Sequence, residues 1–189
     1  MKIKNSDFYK KLTFEFISVA FAVFLGLMLN QWKDNRTNRK TAEISVNNIV
    51  TEVNENAKRL KDMLTSHNAL NAIIDSVINK QLPDEALDTV SGLTMNLLQS
   101  TAWETAKLTQ AIAYIDVRVV KEAAGIYEFQ DYYKSIVKEF VLQDISNPEE
   151  LSPETTLRYT NKFLDKIIPI ETNLLQYYDE LLKTIEEHQ

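Results

Sequence analysis

Cysteine is absent from this chain of 189 residues, and turn-forming residues are scarce: Gly26, Gly92 and Gly125 are its glycines, and Pro83, Pro148, Pro153 and Pro169 its prolines. Without cysteine there is no disulfide framework and no thiolate metal site. A sheet-rich chain needs turn residues every few strands, and so few cannot supply them. The composition predicts an all-α protein of long helices with few connections. Signatures of catalysis are missing as well, with no phosphate-binding glycine loop, no Gly-x-Ser-x-Gly elbow and no His-Glu-x-x-His. A helical bundle can carry a metal pair on Glu-x-x-His motifs, but neither His67 nor His188 has a glutamate three residues before it. The reading is therefore of a protein that is not an enzyme and uses no cofactor or metal.

Basic charge is also scarce over most of the chain. Residues 1–11 carry four lysines against Asp7, residues 33–40 carry Lys33, Arg36, Arg39 and Lys40 against Asp34, and residues 41–189 hold 13 basic against 24 acidic side chains, a net of -11. An acidic body has no electrostatic reason to follow a phosphate backbone, which argues against nucleic acid as a partner.

The two basic clusters bracket the one long apolar run. Phe16 to Gln31 is free of charge, and extending its apolar part, Phe16 to Leu29, back to Leu12 gives 18 residues, about 27 Å of helix, which matches a hydrocarbon core if Glu15 snorkels to the near interface. Tyr9 and Trp32 then fall at the two headgroup levels, with Lys33 and Arg36 as further interface anchors against anionic lipid. No small-x-small cleavage site follows Leu29, so the segment reads as an uncleaved anchor. Three regions follow: a basic tail over 1–11, a membrane helix over 12–32 and a helical domain over 33–189. Along the membrane helix Ser18, Ala22 and Gly26 recur every four residues, and Glu15 and Asn30 extend the stripe. Small residues at that period let two helices approach closely, and Asn or Glu can hydrogen-bond across the contact.

Beyond the basic stretch a seven-residue pattern begins. Val46, Val53, Leu60, His67 and Ile74 share one position, and Ile49, Asn56, Met63, Leu70 and Val77 the position three further on. This predicts one long amphipathic helix with coiled-coil-like spacing, continuous with the membrane helix and ending near Pro83. His67 in this stripe reads as a core histidine, either satisfied in its hydrogen bonds or partly exposed, rather than a ligand or pH switch, and Asn56 as a residue that sets register. Leu87, Val90, Leu93, Leu97 and Leu98 suggest a second, weaker helical stretch over 85–100. From Thr101, Ile112, Ile115, Val119, Ala123, Ile126, Tyr133, Val137 and Phe140 lie on one face of a long helix. Trp103 reads as the anchor of the bundle, and Tyr114, Tyr127, Phe129, Tyr132 and Tyr133 as packing residues. Asn147-Pro148 and Ser152-Pro153 are two competing starts for the last helix, in which Leu157, Leu164, Tyr178 and Ile185 pair with Ile167, Leu174 and Leu181, and Pro169 predicts a kink. Helices of this length make an antiparallel bundle.

Two stretches carry a family likeness. Leu29-Asn30-Gln31-Trp32 with the trailing Arg36, and Ala102-Trp103-Glu104-Thr105-Ala106-Lys107 with Tyr132-Tyr133 some thirty residues on, resemble the motifs of a family of short bacterial single-pass membrane proteins of uncharacterised function. The resemblance implies the architecture and no mechanism. This chain departs from it in having no glycine after Lys107, where a turn is expected. It places the protein in a cell inner membrane. With four basic residues on each side of the span, orientation rests on the lysine-bearing tail remaining cytoplasmic, which puts the bundle in the periplasm. The expected role is a membrane-tethered interaction or scaffold module whose partners are the lipid bilayer and either a second copy or another membrane protein. The alternative is a sensory bundle, which would require an interhelical pocket above roughly 300 Å³ lined by the tyrosines.

Overall fold

A computed structural model describes residues 5–89, 92–146 and 152–188. Asn5–Ile78 form a single helix of 74 residues, α1, about 110 Å long. Gly26 is its one glycine and it has no proline, so nothing in its covalent chemistry interrupts it. Its two halves have different surroundings. Every residue from Phe8 to Thr37 is exposed, Asn38 is the first to be partly covered, and from Ala42 onward one face is buried. All ten heptad positions from Val46 to Val77 are among the buried residues. The helix stops at Ile78, a little before Pro83. Lys80 takes the left-handed conformation (φ 57°), with Lys80 N–H donating to the Val77 carbonyl and Gln81 N–H to that of Ser76, at 2.9 and 2.8 Å. That is a Schellman termination, with lysine where glycine is commoner.

The helical stretch expected over 85–100 does not form. One 3₁₀ turn, Asp84–Thr89, is followed by a segment at 92–100 with no regular secondary structure, here called the strap. Gly92, Thr94, Asn96 and Ser100 are weak helix formers, so local preference offers little resistance to extension. Leu98 is buried and Leu93 and Met95 are half-buried, whereas Leu97 is 79% exposed.

The single long helix expected from Thr101 is also broken. Thr101–Leu108 form α2, a 3₁₀ turn covers Ala111–Tyr114, and Val117–Ser146 form α3. Gln110 adopts φ 58° at the break, filling with a side-chain-bearing residue the turn for which a glycine is absent. Asp116 caps α3, its Oδ1 accepting the Arg118 N–H at 2.8 Å. The apolar face survives the interruption: Val119, Ala123, Ile126 and Tyr133 are buried, and Ile112, Ile115, Val137 and Phe140 pack against the core.

The last helix, α4, spans Pro153–His188 and runs through Pro169. Ser152 caps it, its Oγ accepting the Thr155 N–H at 3.3 Å; the competing start at Asn147-Pro148 lies outside the described residues. Leu164, Ile167, Leu174, Tyr178, Leu181 and Ile185 are buried, and Leu157 is half-buried.

Cross-contacts give the directions. Asn71 meets Asp165 and His67 meets Glu171, so α4 is antiparallel to α1. Glu52 meets Tyr127 and Asn56 meets Gln130, so α3 is parallel to α1. The strap descends beside α1, with Thr94 at His67 and Gln99 at Asn56. The result is an up-down-up-down bundle in which the strap and α2 together form the second element. From His67 to Glu52 is about 23 Å of helix, and from Thr94 to Ala102 about 26 Å of extended chain, so half the residues cover the same height.

Since Ala42 is the first buried residue among those described, no described residue before Trp32 makes a core contact that removing residues 1–32 would lose. The fragment 33–189 is expected to stay helical and to melt cooperatively by circular dichroism; an aggregated fragment with little helical signal would make the apolar half part of the fold.

Candidate functional site

An extended segment inside a helical bundle has no neighbouring strand, so its backbone N–H and C=O groups must find other partners or be buried unpaired at a cost of about 1–3 kcal/mol each. Here side chains of α1 supply them. His67 Nε2 lies 2.9 Å from the Thr94 carbonyl, Met63 Sδ accepts the Asn96 N–H at 3.0 Å, and Arg59 Nη1 donates to the Leu97 carbonyl at 3.3 Å. Asn56 binds Gln99 through both ends of its amide: Oδ1 accepts the Gln99 N–H at 2.8 Å and Nδ2 donates to its carbonyl at 2.7 Å. Glu52 accepts the Ala102 N–H at 2.8 Å, satisfying a donor of the first turn of α2.

The same side chains reach α3 and α4. Glu52 also accepts the Tyr127 hydroxyl at 2.7 Å. Gln130 Nε2 donates to the Gln99 carbonyl at 2.8 Å, while its Oε1 accepts the Tyr178 hydroxyl at 2.5 Å. Burial pushes the hydroxyls of Tyr127, Tyr133 and Tyr178 to higher pKa, and the neighbouring Glu52 and Glu171 carboxylates raise the first two further. They act as neutral donors. Glu52, Asn56, His67, Gln130 and Glu171 are all buried, so this polar ladder lies inside the core.

Its one ionic rung is His67 with Glu171. The carbonyl of Thr94 can only accept, so His67 Nε2 carries a proton; Nδ1 faces the Glu171 carboxylate at 3.0 Å, and Tyr133 donates to the same carboxylate at 3.3 Å. Burial alone would lower the histidine pKa, but the hydrogen bond to and charge of Glu171, with the Thr94 carbonyl, outweigh it, and the net shift is upward. His67 is thus a core histidine, as its heptad position suggested, and a satisfied one. Glu171 was not legible as its partner, although a signal existed: it lies seven residues after Leu164 and seven before Tyr178, a charged residue on an otherwise apolar stripe. Glu52 and Gln130 gave no such signal.

Trp103 is buried on α2, stacked face to face on Tyr127 at 5.5 Å between ring centroids and 4° between planes, with Lys107 Nζ 5.8 Å from the ring centroid. The other aromatic residues of that region divide. Tyr127 and Tyr133 are interior, Phe129 is half-buried, and Tyr114 and Tyr132 are exposed. Two grooves are open to the surface, one of about 420 Å³ beside Arg39, Val46, Tyr114, Asp116 and His188, and one of about 440 Å³ beside Gly125, Phe129 and Tyr177. Neither is lined by the interior tyrosines. No group of three His, Asp or Glu side chains among the described residues is placed to hold a metal ion.

The apolar half of α1 is long and apolar enough to cross a membrane, and none of its most apolar stretch is buried. Glu15, Ser18, Ala22, Gly26 and Asn30 share one face of it. A Cβ added at Gly26 would meet nothing within 4 Å, and Asn30 donates to Asp34 on its own helix at 3.1 Å. From Gly26 to Ala42 is about four and a half turns, so the small-residue face and the bundle-covered face point to opposite sides of the helix. Tyr9 and Trp32, about 35 Å apart along the axis, are both well exposed, as are Lys33 and Arg36.

Two measurements follow. The raised pKa of His67 means that its pair stabilises the fold fully below the unfolded-state value near 6.5 and loses that contribution as pH climbs past the higher folded value. The denaturation midpoint should fall on that alkaline side, and His67→Leu should abolish the step while costing about 3–5 kcal/mol through the uncompensated Glu171. A parent whose midpoint is flat from neutral to alkaline pH would rule out the ionic pair. Trp103→Ala should cost about 3–5 kcal/mol in denaturant unfolding; a cost below about 1 kcal/mol would mean that the indole packs at a surface.

Comparison of the chain with protein-family models, with curated proteins and with solved structures finds no match.

Proposed function

We propose that this chain is a membrane-tethered interaction module: residues 12–32 anchor it in the cell inner membrane, its tail is cytoplasmic, and the bundle stands in the periplasm and associates with a second copy or with another membrane protein. The observation that carries this reading is the complete exposure of the apolar half of α1. Phe14, Phe16, Leu27 and Leu29 are each more than 60% exposed, and large apolar side chains along some 20 consecutive residues require an apolar solvent or a partner. Basic residues at 33–40, opposed only by Asp34, suit an anionic headgroup layer at the exit of such a span.

Self-association has a plausible geometry. Because the Ser18, Ala22 and Gly26 face looks away from the side of α1 that the bundle covers, two membrane helices meeting through it would carry their bundles outward and free of collision. A ligand-sensing role gains less support, since the interior tyrosines already commit their hydroxyls to Glu52, Glu171 and Gln130.

Gly26→Ile tests the contact, because it keeps the helix apolar while adding bulk at the point of closest approach. Association measured by crosslinking in bilayers should drop, insertion should be unchanged, and Phe24→Leu, on the other side of the helix, should have little effect. If the isoleucine variant associates as the parent does, the stripe is not the contact and any self-association belongs to the bundle.

A further inference from the structure

The end of the bundle nearest the apolar span is the turn between α2 and α3. Tyr114 in that turn accepts a hydrogen bond from Asn38 Nδ2 at 2.7 Å, which fixes the turn against α1 six residues beyond Trp32, about 9 Å along the helix axis. The headgroup layer outside a hydrocarbon core is itself about 5–8 Å thick. The turn is therefore level with the outer edge of that layer whenever Trp32 lies at the interface, and an ordinary helix tilt towards it brings it lower.

This turn exposes apolar side chains that the core could have used. Leu108 is 83% exposed and Val117 is 76% exposed, the first and third most exposed large apolar residues among the described residues of the bundle, and Tyr114 between them is 47% exposed. Most of the charges beside them are paired or basic, with Glu43, exposed in the same groove as Arg39, as the acidic exception. Asp116 is bound by the Arg118 guanidinium, which holds its carboxyl down at about 2. Lys107 pairs with Glu104. On the adjoining face of α1, Arg39 has no ion-pair partner among the described residues and lines the groove beside Tyr114. Exposed leucine, valine and tyrosine next to an unpaired arginine, held at headgroup height, make a surface suited to an anionic lipid interface, where apolar tips enter the acyl boundary and cations stay among phosphates.

We infer that the turn over residues 108–117 is a second membrane contact, by which the bundle seats itself on an anionic lipid surface through Leu108 and Val117. Two points of attachment would fix the tilt of the bundle about its anchor and hold α4 and the outer groove at Gly125 in a set orientation to the bilayer. The inference rests on the anchor reading above.

The absence of native cysteine permits single-site labelling of the full chain. An environment-sensitive fluorophore is placed at Leu108→Cys, Val117→Cys, Val23→Cys or Leu97→Cys in vesicles of phosphatidylcholine and phosphatidylglycerol, with and without spin-labelled phosphatidylcholine as quencher, the label placed deep in the acyl chain to reach Val23 and near the headgroup to reach the other sites. Leu97, as exposed as Leu108 but bonded at the level of Arg59, stands about 40 Å beyond Trp32 and is the control for exposure alone. The expected result is blue-shifted emission and strong quenching at Val23, Leu108 and Val117, and neither at Leu97. Quenching at Val23 with Leu108 indistinguishable from Leu97 overturns the second contact and leaves the anchor standing. A blue shift at Leu108 without quenching means that protein covers the turn, which also overturns it. Val23 unquenched removes the anchor and the second contact together.

Discussion

The bundle depends on how the strap is hydrogen-bonded. Nine residues without regular secondary structure run beside α1 with no strand next to them, and backbone groups of Thr94, Asn96, Leu97 and Gln99 are bound by Asn56, Arg59, Met63 and His67 of α1 and by Gln130 of α3. The α1 members of this set lie on the face that α1 turns inward or at its edge, which is why that face is polar at intervals. An all-apolar stripe would bury more hydrocarbon but would leave the strap's amides and carbonyls unpaired, and each orphan group costs as much as a methyl or two contributes. The polar rungs are thus the condition for having the strap at all.

Polar rungs also tie the elements together in a fixed register. Asn56 reads both backbone groups of Gln99, Gln130 binds the same carbonyl from the other side, and Tyr178 closes the set from α4. A slip of α4 by one turn would separate Tyr178 from Gln130 and Glu171 from His67 at once. Leucine contacts tolerate such a slip far better than a buried carboxylate does, because apolar contact is non-directional and an unpaired buried charge is expensive. The hydrophobic residues provide most of the stabilisation and the polar ones select one arrangement of it.

A second constraint is that one continuous helix joins an exposed apolar half to the buried face of a bundle. In α1 the change from exposed apolar side chains to a buried amphipathic stripe takes place between Trp32 and Ala42, with four basic residues between them and no break in the backbone. A rigid passage of this kind carries any tilt or rotation of the apolar half directly into the bundle, since there is no glycine or proline hinge to absorb it. The proposed seat at Leu108 and Val117 would act on the same rigid lever from the other side.

The helical fold was legible in the sequence because it follows from one-dimensional periodicity. Ten heptad positions from Val46 to Val77 named the buried face of α1 without error, and the stripe from Leu164 to Ile185 did the same for α4, since spacing along a helix alone decides which side chains share a face. The uncharged run before Trp32 was equally local. What the sequence did not determine is the fate of residues 85–116. Leucines at 87, 93, 97 and 98 fit a loose helix, and the apolar face from Ile112 to Phe140 read as continuous, yet the first became a strap and the second was cut at Gln110 and Asp116. Both outcomes turn on weak local preferences settled by distant atoms. The groups that hold the strap lie between 27 and 43 residues from the backbone they bind, and Glu171 lies 104 residues from His67. Only when the tertiary fold brings α1, α3 and α4 around that segment do its amides have partners, and only then does extension cost less than a helix.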